Sequence, residues 1–269
     1  MEKHRCFIGT AGWSIPSRYK DLFPDSGSHL ERYGDRLGVV EINSSFYKPH
    51  RRETYERWAG SVPQDFRFCV KVPKAVTHER RLADCGHLAE TFLQQAGGLG
   101  PKFAALLVQL PPSLPFDPHV ADDFFDLLRK QTDVKLACEP RHASWFEPDA
   151  DALLTGFRVA RVAADPARVP AAATPSGWPG LVYFRLHGAP RIYYSDYDTE
   201  SLIEIRQRLD AASATGAEVW CIFDNTVKGH ALGNALAVTA MAPQITFNSR
   251  NARPSATRLY PNAEQSTVR

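Results

Sequence analysis

Eight short apolar runs punctuate the chain, each leading into a polar or charged residue near its C-terminal end. They cover residues 6–9, 39–43, 67–71, 105–109, 136–139, 160–165, 182–187 and 219–224. A run of four to eight apolar residues bounded by turn signals reads as a buried strand. Eight such strands separated by helix-length segments predict a single parallel (β/α)8 TIM barrel. Chemistry in that architecture gathers at the C-terminal rim of the strands, which is where the polar residues fall.

A chain of 269 residues is the usual size for one such barrel. No uninterrupted apolar stretch is long enough to cross a bilayer, and no apolar h-region follows the first residues. Neither a membrane span nor a signal peptide is expected. The five cysteines form no CxxC pair, and four lie inside predicted strands. They read as buried thiols in a reducing cytosol rather than as disulfides or zinc ligands, so a cytoplasmic location is expected. The net charge of +2 resides in the tail from Asn248 onward, where Arg250, Arg253, Arg258 and Arg269 oppose Glu264. The body is close to neutral and carries no global basic footprint for nucleic acid.

Helices are predicted over 29–36, 53–59, 84–96, from Asp117 or Pro118 onward, 148–154, 199–214 and 229–240. Asp117 and Pro118 are helix-start signals, and Gly97-Gly98 a helix stop. Between Pro166 and Pro179 the chain also holds Pro170 and Pro175. The sixth barrel helix is therefore expected to be irregular or missing. The expected organisation is a TIM-barrel domain over 1–247 and a flexible tail over 248–269, where the sequence turns polar and aperiodic.

Side chains alternate between the two faces of a strand, and in a barrel one face points to the axis. With Val40 and Ile42 facing the helices, Glu41 and Asn43 point inward. The same parity sends Lys71, Gln109 and Glu139 to the axis, with Arg141 in step just beyond. Tyr183, Arg185 and His187 share the axis side, and Asp224 joins them from the last strand. Asp165 ends strand six, whose apolar alternation is interrupted by Arg161. So many ionisable groups near one axis demand mutual pairing or a ligand. A purely structural ion-pair plug is one reading, and a functional site is the other.

Four blocks deepen the second reading: Glu41-Ile42-Asn43-Ser44-Ser45-Phe46-Tyr47, Gln109-Leu110-Pro111-Pro112-Ser113, Glu139-Pro140-Arg141-His142-Ala143-Ser144-Trp145 and Tyr183-Phe184-Arg185-Leu186-His187-Gly188. With 8–13 and segments of 229–235, they resemble the signature blocks of the YecE-like family, domain of unknown function 72. The resemblance covers the body to about Phe247 and implies a TIM barrel, with no established reaction to carry over. One departure is Phe223-Asp224-Asn225-Thr226, where the family pattern leads to an Asn in place of Asp224. Asp224 is then either a catalytic acid or a hydrogen-bonding substitute for an amide.

Lys71, Arg141 and Arg185 supply cations suited to carboxylate or phosphate. The segment 226–230 lies where barrels often hold a phosphate, although Gly229 also serves to shape a turn. Glu41, Glu139, Asp165, His187 and Asp224 include ligand types for a divalent metal. The crowding cations and the lack of a tight ligand spacing such as HExxH disfavour one. No cofactor is expected: neither Gly-x-Gly-x-x-Gly nor a P-loop occurs, and no Gly-x-Ser-x-Gly elbow points to a serine hydrolase.

The expected catalytic group is Glu41, Glu139, His187 and Asp224, with Glu41 and Glu139 exchanging protons. Asn43, Tyr47, Lys71, Gln109, Arg141, His142, Arg185 and Asn225 form the expected substrate-binding set. Trp13, Phe46, Trp145, Tyr193, Tyr194 and Tyr197 either pack the loops or form a stacking surface or lid. The favoured reading is an enzyme acting on a small anionic, phosphorylated or carboxylated compound by hydrolysis, elimination or isomerisation without a metal. The alternatives are a non-catalytic binding or sensing protein and a nucleic-acid-processing barrel.

Overall fold

Residues 6–241 are described by the computed structural model of the chain. The tail expected over 248–269 lies outside them, as does the end of the expected domain. Parallel strands β1 (Cys6–Ala11), β2 (Val39–Ile42), β3 (Arg67–Lys71), β4 (Phe103–Gln109) and β5 (Lys135–Glu139) pair in sequence order. The next stave is split into β6 (Val159–Arg161) and β7 (Ala163–Asp165). It changes partner at Val162: β6 pairs with β5, and β7 with β9 (Leu181–Leu186). Strand β10 (Glu218–Phe223) then joins β9 to β1. The result is a nearly closed, parallel eight-stave barrel.

Helices α1 (His29–Gly34), α2 (Arg52–Gly60), α3 (Gly86–Ala96), α4 (Pro118–Gln131), α5 (Pro148–Gly156), α6 (Thr199–Ser213) and α7 (His230–Ala240) pack outside. Their starts follow local chemistry. Asp117 caps α4 by accepting from His119 N and Val120 N, with Pro118 in the first turn, which satisfies donors the helix itself cannot. Helix α3 begins two residues later than its pattern predicts, because Asp84 has a φ of 47°, outside the helical region. The proline-rich segment after β7 holds a 3-10 turn at Pro170–Ala173 and the short strand β8 (Ser176–Gly177), which pairs antiparallel with β6. The sixth barrel helix is absent there, as the four prolines predict.

Strand parity separates two buried clusters. Val40, Ile42, Phe68, Val70, Leu106, Val108, Phe184 and Val219 pack against the helices. Val39, Cys69, Ala105, Leu107, Ala137, Ala160, Tyr183, Trp220 and Ile222 fill the barrel interior. The small alanines of three staves leave room for Trp220, which stacks on Tyr183 at 5.9 Å. This apolar floor excludes water from the lower barrel and confines the polar side chains to the layers above it.

Candidate functional site

Arg185, second from the end of β9, stands at the centre of the mouth. Its Nη2 and Nε donate to Glu41 Oε1 at 2.7 Å and Oε2 at 3.0 Å. Its Nη1 donates to Glu139 Oε2 at 2.9 Å, and Nη2 also reaches Asp224 Oδ2 at 2.9 Å. Both Arg185 and Glu41 are 0% exposed. Tyr183 donates to Glu41 Oε2 at 3.0 Å from the same face of β9. A guanidinium has five donors in a fixed fork, and here that fork joins carboxylates from β2, β5 and the end of β10.

His187 sits just beyond β9 with Nε2 3.1 Å from Glu139 Oε1 and Nδ1 3.1 Å from Asp224 Oδ2. Two carboxylates on both ring nitrogens favour the doubly protonated ring. Burial opposes the charge, but Glu139 and then Asp224 prevail and raise the His187 pKa above its usual 6.5. Arg141 donates twice to Glu139 Oε1, from Nε at 3.1 Å and Nη2 at 3.0 Å. Against the upward push of burial, Arg141, Arg185 and His187 hold Glu139 well below the usual carboxylate range. Burial likewise pushes Asp224 up, but Arg185 and His187 bring it below its ordinary value.

Lys71, the last residue of β3, behaves differently. It is 6% exposed, and its Nζ lies 4.1 Å from the centroid of the Phe46 ring. Among the described residues it has neither a hydrogen-bond acceptor nor a carboxylate within ion-pair distance. Burial, and then Arg185, press its pKa down to about 8 against the pull of Glu41, Glu139 and Asp224. Nearby, Asn43 Oδ1 is buried without a hydrogen-bond partner, an acceptor left open at the end of β2.

Glu41, Lys71, Glu139, Arg141, Arg185, His187 and Asp224 therefore meet in one constellation. Other expected members make different contacts. Tyr47 is 72% exposed, its ring edge-on to Phe46. The His142 Nδ1 accepts from Ser144 N and caps the short helix 143–146. Asn225 is buried, donating to Ser195 O at 2.9 Å and Asn234 Oδ1 at 2.8 Å, which ties the loop after β9 to α7. Gln109 is buried, and its Nε2 donates to Leu110 O. Asp165 accepts from Tyr197 OH at 2.6 Å, and its outward parity keeps it off the axis. Gly229 shapes a turn: its φ is 72°, and a Cβ there would meet Pro16 Cγ at 2.5 Å.

The loop aromatics divide. Trp13 packs edge-on against Trp58, and Trp145 is buried with Nε1 donating to Leu114 O. Phe46 and Tyr193 belong to the mouth. The Tyr193 ring lies 5.6 Å from His187, and its hydroxyl accepts from Arg141 Nη2 at 3.5 Å. Tyr193 has a φ of 70°, held by Tyr193 N donating to His187 O and Val227 N donating to Tyr193 O. Strand parity missed two neighbours because they lie outside the strands: His78, in the π-helical turn Ala75–Glu79 with its ring 5.0 Å from Phe46, and Arg168, exposed but electrostatically coupled to Arg141, Tyr193 and Glu139. The only available signal for either was its place in a segment that follows a barrel strand. Among the described residues no cluster of His, Cys, Asp or Glu is arranged to hold a metal ion. The carboxylates that would have served are turned to Arg185 and His187.

Comparison with known proteins places the chain in a family. The sequence model of a family described as "Protein of unknown function DUF72" matches residues 7–257. The UPF0759 protein YecE of Escherichia coli K12 is 30% identical over 141 residues, 52% of this chain and 50% of that protein. The UPF0759 protein YunF of Bacillus subtilis 168 is 27% identical over 151 residues, 53% of this chain and 52% of that protein. The matched part of the chain thus spans about half the length of these curated relatives. Crystal structures of two proteins titled as DUF72 family members share the fold. One, from Enterococcus faecalis V583, has a TM-score of 0.72 at 22% identity, covering 88% of this chain and 96% of the other. The other, from Thermotoga maritima MSB8, has a TM-score of 0.71 at 24% identity, covering 88% and 98%.

Proposed function

The chain belongs to the DUF72 family, and from that footing we propose that its barrel mouth binds a small anionic compound and carries out acid–base chemistry on it. The observation that carries this reading is Lys71, a buried cation with no carboxylate at ion-pair distance among the described residues. An unpaired buried charge is costly, and an incoming anion would lower that cost. Arg141, which acts on His78 together with Lys71, spends Nε and Nη2 on Glu139 and Tyr193 and, among the described residues, has Nη1 left for a ligand. Its planar fork suits a carboxylate or phosphate.

Roles within the constellation shift from those drawn from strand parity. Glu41 is sealed beneath the mouth with both oxygens engaged by Arg185 and Tyr183, so it anchors Arg185 rather than exchanging protons. Lys71, with a pKa of about 8, is better matched to proton transfer near neutrality. Glu139, Asp224 and His187 hold the electrostatic frame, and Asn43 offers the ligand an acceptor. Five free thiols, four of them buried, support a reducing, cytoplasmic setting. No helix among the described residues is long and apolar enough to cross a membrane. Burial of Trp145 and Tyr197 and the packing of Trp13 on Trp58 remove three of the loop aromatics from any stacking surface for a nucleic-acid strand.

Thermal-shift titration with inorganic phosphate and with oxalate tests the binding step. Both anions should stabilise the protein at low salt, and Arg141→Gln should weaken the effect about tenfold or more in apparent Kd, as the loss of a charge-assisted pair implies. An equal response in the variant would remove Arg141 from the site, and no response in either protein would overturn the anion reading.

A further inference from the structure

We propose that Lys71 is a covalent nucleophile, whose neutral amine condenses with the carbonyl carbon of a small anionic aldehyde or 2-oxo acid to form an imine. The proposal rests on the anion-binding reading of the mouth, in which Arg141 holds the carboxylate or phosphate of the same molecule.

A second buried lysine provides the contrast within this chain. Lys102 is 8% exposed, and its Nζ donates to Ala59 O and Val62 O, both at 2.6 Å. Its hydrogen-bonding capacity is thereby used in fixing the chain. Lys71 is equally buried, yet its Nζ has the Phe46 ring in place of acceptors. The three nearby carboxylates do not lock it as an ammonium, because Arg185 and His187 already occupy them. A desolvated lysine among other cations is how an amine is kept nucleophilic near neutrality. The depressed pKa of Lys71 agrees with that arrangement.

His78 completes the setting. It reaches the same Phe46 ring at 5.0 Å, and Thr77 Oγ1 lies 2.8 Å from its Nδ1. Its Nε2 has no hydrogen-bond partner among the described residues. Burial, then Lys71 and Arg141, lower the His78 pKa and favour the neutral ring, which can take and return a proton. The Lys71 nitrogen pair forms the C–N bond as the C=O π pair moves to oxygen. His78 takes the proton released by nitrogen and delivers it to that oxygen, giving the carbinolamine. His78 then carries the remaining nitrogen proton to the hydroxyl, which leaves as water as the nitrogen pair closes C=N, yielding the neutral imine.

Glyoxylate with cyanoborohydride tests the step on the full chain. Hydride from the reductant adds to the imine carbon and fixes one carboxymethyl group on the reacting lysine, located by peptide mass spectrometry. At pH 8 about half of Lys71 would be neutral, against roughly one in 250 for a lysine titrating near 10.4. Allowing for the lower basicity of the amine, Lys71 should be labelled on the order of tenfold faster than the next lysine. Lys71→Met should lose that fast phase and keep the slow background. Glycolaldehyde, uncharged and of nearly the same size, separates the two claims. Preferential labelling of Lys71 by both reagents at equal rates would support the nucleophile and overturn the anion requirement. Labelling spread over the surface lysines, with Lys71 no faster than they are, would overturn the nucleophile while leaving phosphate binding to stand or fall on its own titration.

Discussion

Arg185 and Glu41 face each other across the barrel from β9 and β2, both fully buried and joined through Nη2 at 2.7 Å and Nε at 3.0 Å. Arg185 also spans Glu139 and Asp224, so one guanidinium fixes carboxylates contributed by three separate staves. The pair sits above the Tyr183–Trp220 stack and below the rim. It therefore sets the floor of the mouth and is not itself open to a ligand.

Breaking this pair should cost stability before it costs any chemistry. Glu41→Gln keeps the shape but leaves Arg185 with one fewer negative partner in a water-free layer. Loss of one member of a buried pair typically costs about 3–5 kcal/mol, and the retained amide acceptor puts the expectation near the lower end. Urea denaturation monitored by tryptophan fluorescence provides the measurement. A cost below about 1 kcal/mol, the range of an exposed pair, would mean that Arg185 is held by Glu139 and Asp224 alone.

Asp224 is the position where the family pattern leads to an amide, and the structure gives its charge two uses, on Arg185 and on His187. Asp224→Asn removes one of the two carboxylates that hold the imidazolium. The His187 pKa should then fall from its raised value towards or below 6.5, measurable by titrating the ring resonances in NMR. For the parent protein, the raised pKa means that the stabilising contribution of His187 is complete below about 6.5. It is lost as the pH climbs through the folded value. The lowered Glu139 and Asp224 pKa values act in the opposite direction: their contribution is present above about 4.5 and 3.8, respectively, and lost as the pH falls through the folded values. An unchanged His187 titration in the variant would show that Glu139 alone holds the charge.

Strand periodicity made the barrel and the shared axis of Glu41, Lys71, Glu139, Arg185 and Asp224 legible in the sequence, because parity is a property of each strand by itself. Partnership is not. Arg185 was expected among ligand-binding cations, yet three carboxylates enclose it, and only the register between strands reveals that. Asn225 and His142 were expected in the site from the blocks that hold them, but one ties a loop to a helix and the other caps a turn. His78 entered from the π-helical turn after β3, beyond the strand periodicity that indicates the direction of a side chain. The missing sixth helix was readable because proline acts locally.

Gly188 links His187 to the Tyr193 loop and cannot accept a side chain. Its φ is +87°, and a Cβ would stand 2.6 Å from Ser195 O and 3.0 Å from Asn225 Cβ. Gly188→Ala should displace the loop that carries Tyr193, adding roughly 1–2 kcal/mol of left-handed strain to the steric shift. Limited proteolysis should show faster cutting within 189–197, with the barrel core still protected. Unaltered cleavage would mean that the backbone relaxes at no cost and that Gly188 is not what seats the loop.

Lys71 should reveal its burial as a stability penalty. Its folded pKa of about 8 lies below the ordinary lysine value of 10.5. Between those limits the unfolded chain binds more protons than the folded one, so stability attributable to this residue rises with pH across the window. Below pH 8 the full penalty applies, and a displacement of this size corresponds to about 3 kcal/mol at most. Lys71→Met keeps an unbranched side chain one atom shorter and removes the charge. The variant should be more stable than the parent at pH 7, and the parent should recover the difference as the pH rises from 8 towards 10. Chemical denaturation at pH 7 and pH 10 reads the two gaps directly. A variant that is less stable at pH 7 would mean that the ammonium is compensated in the folded protein, and the case for a free amine at the mouth would fail with it.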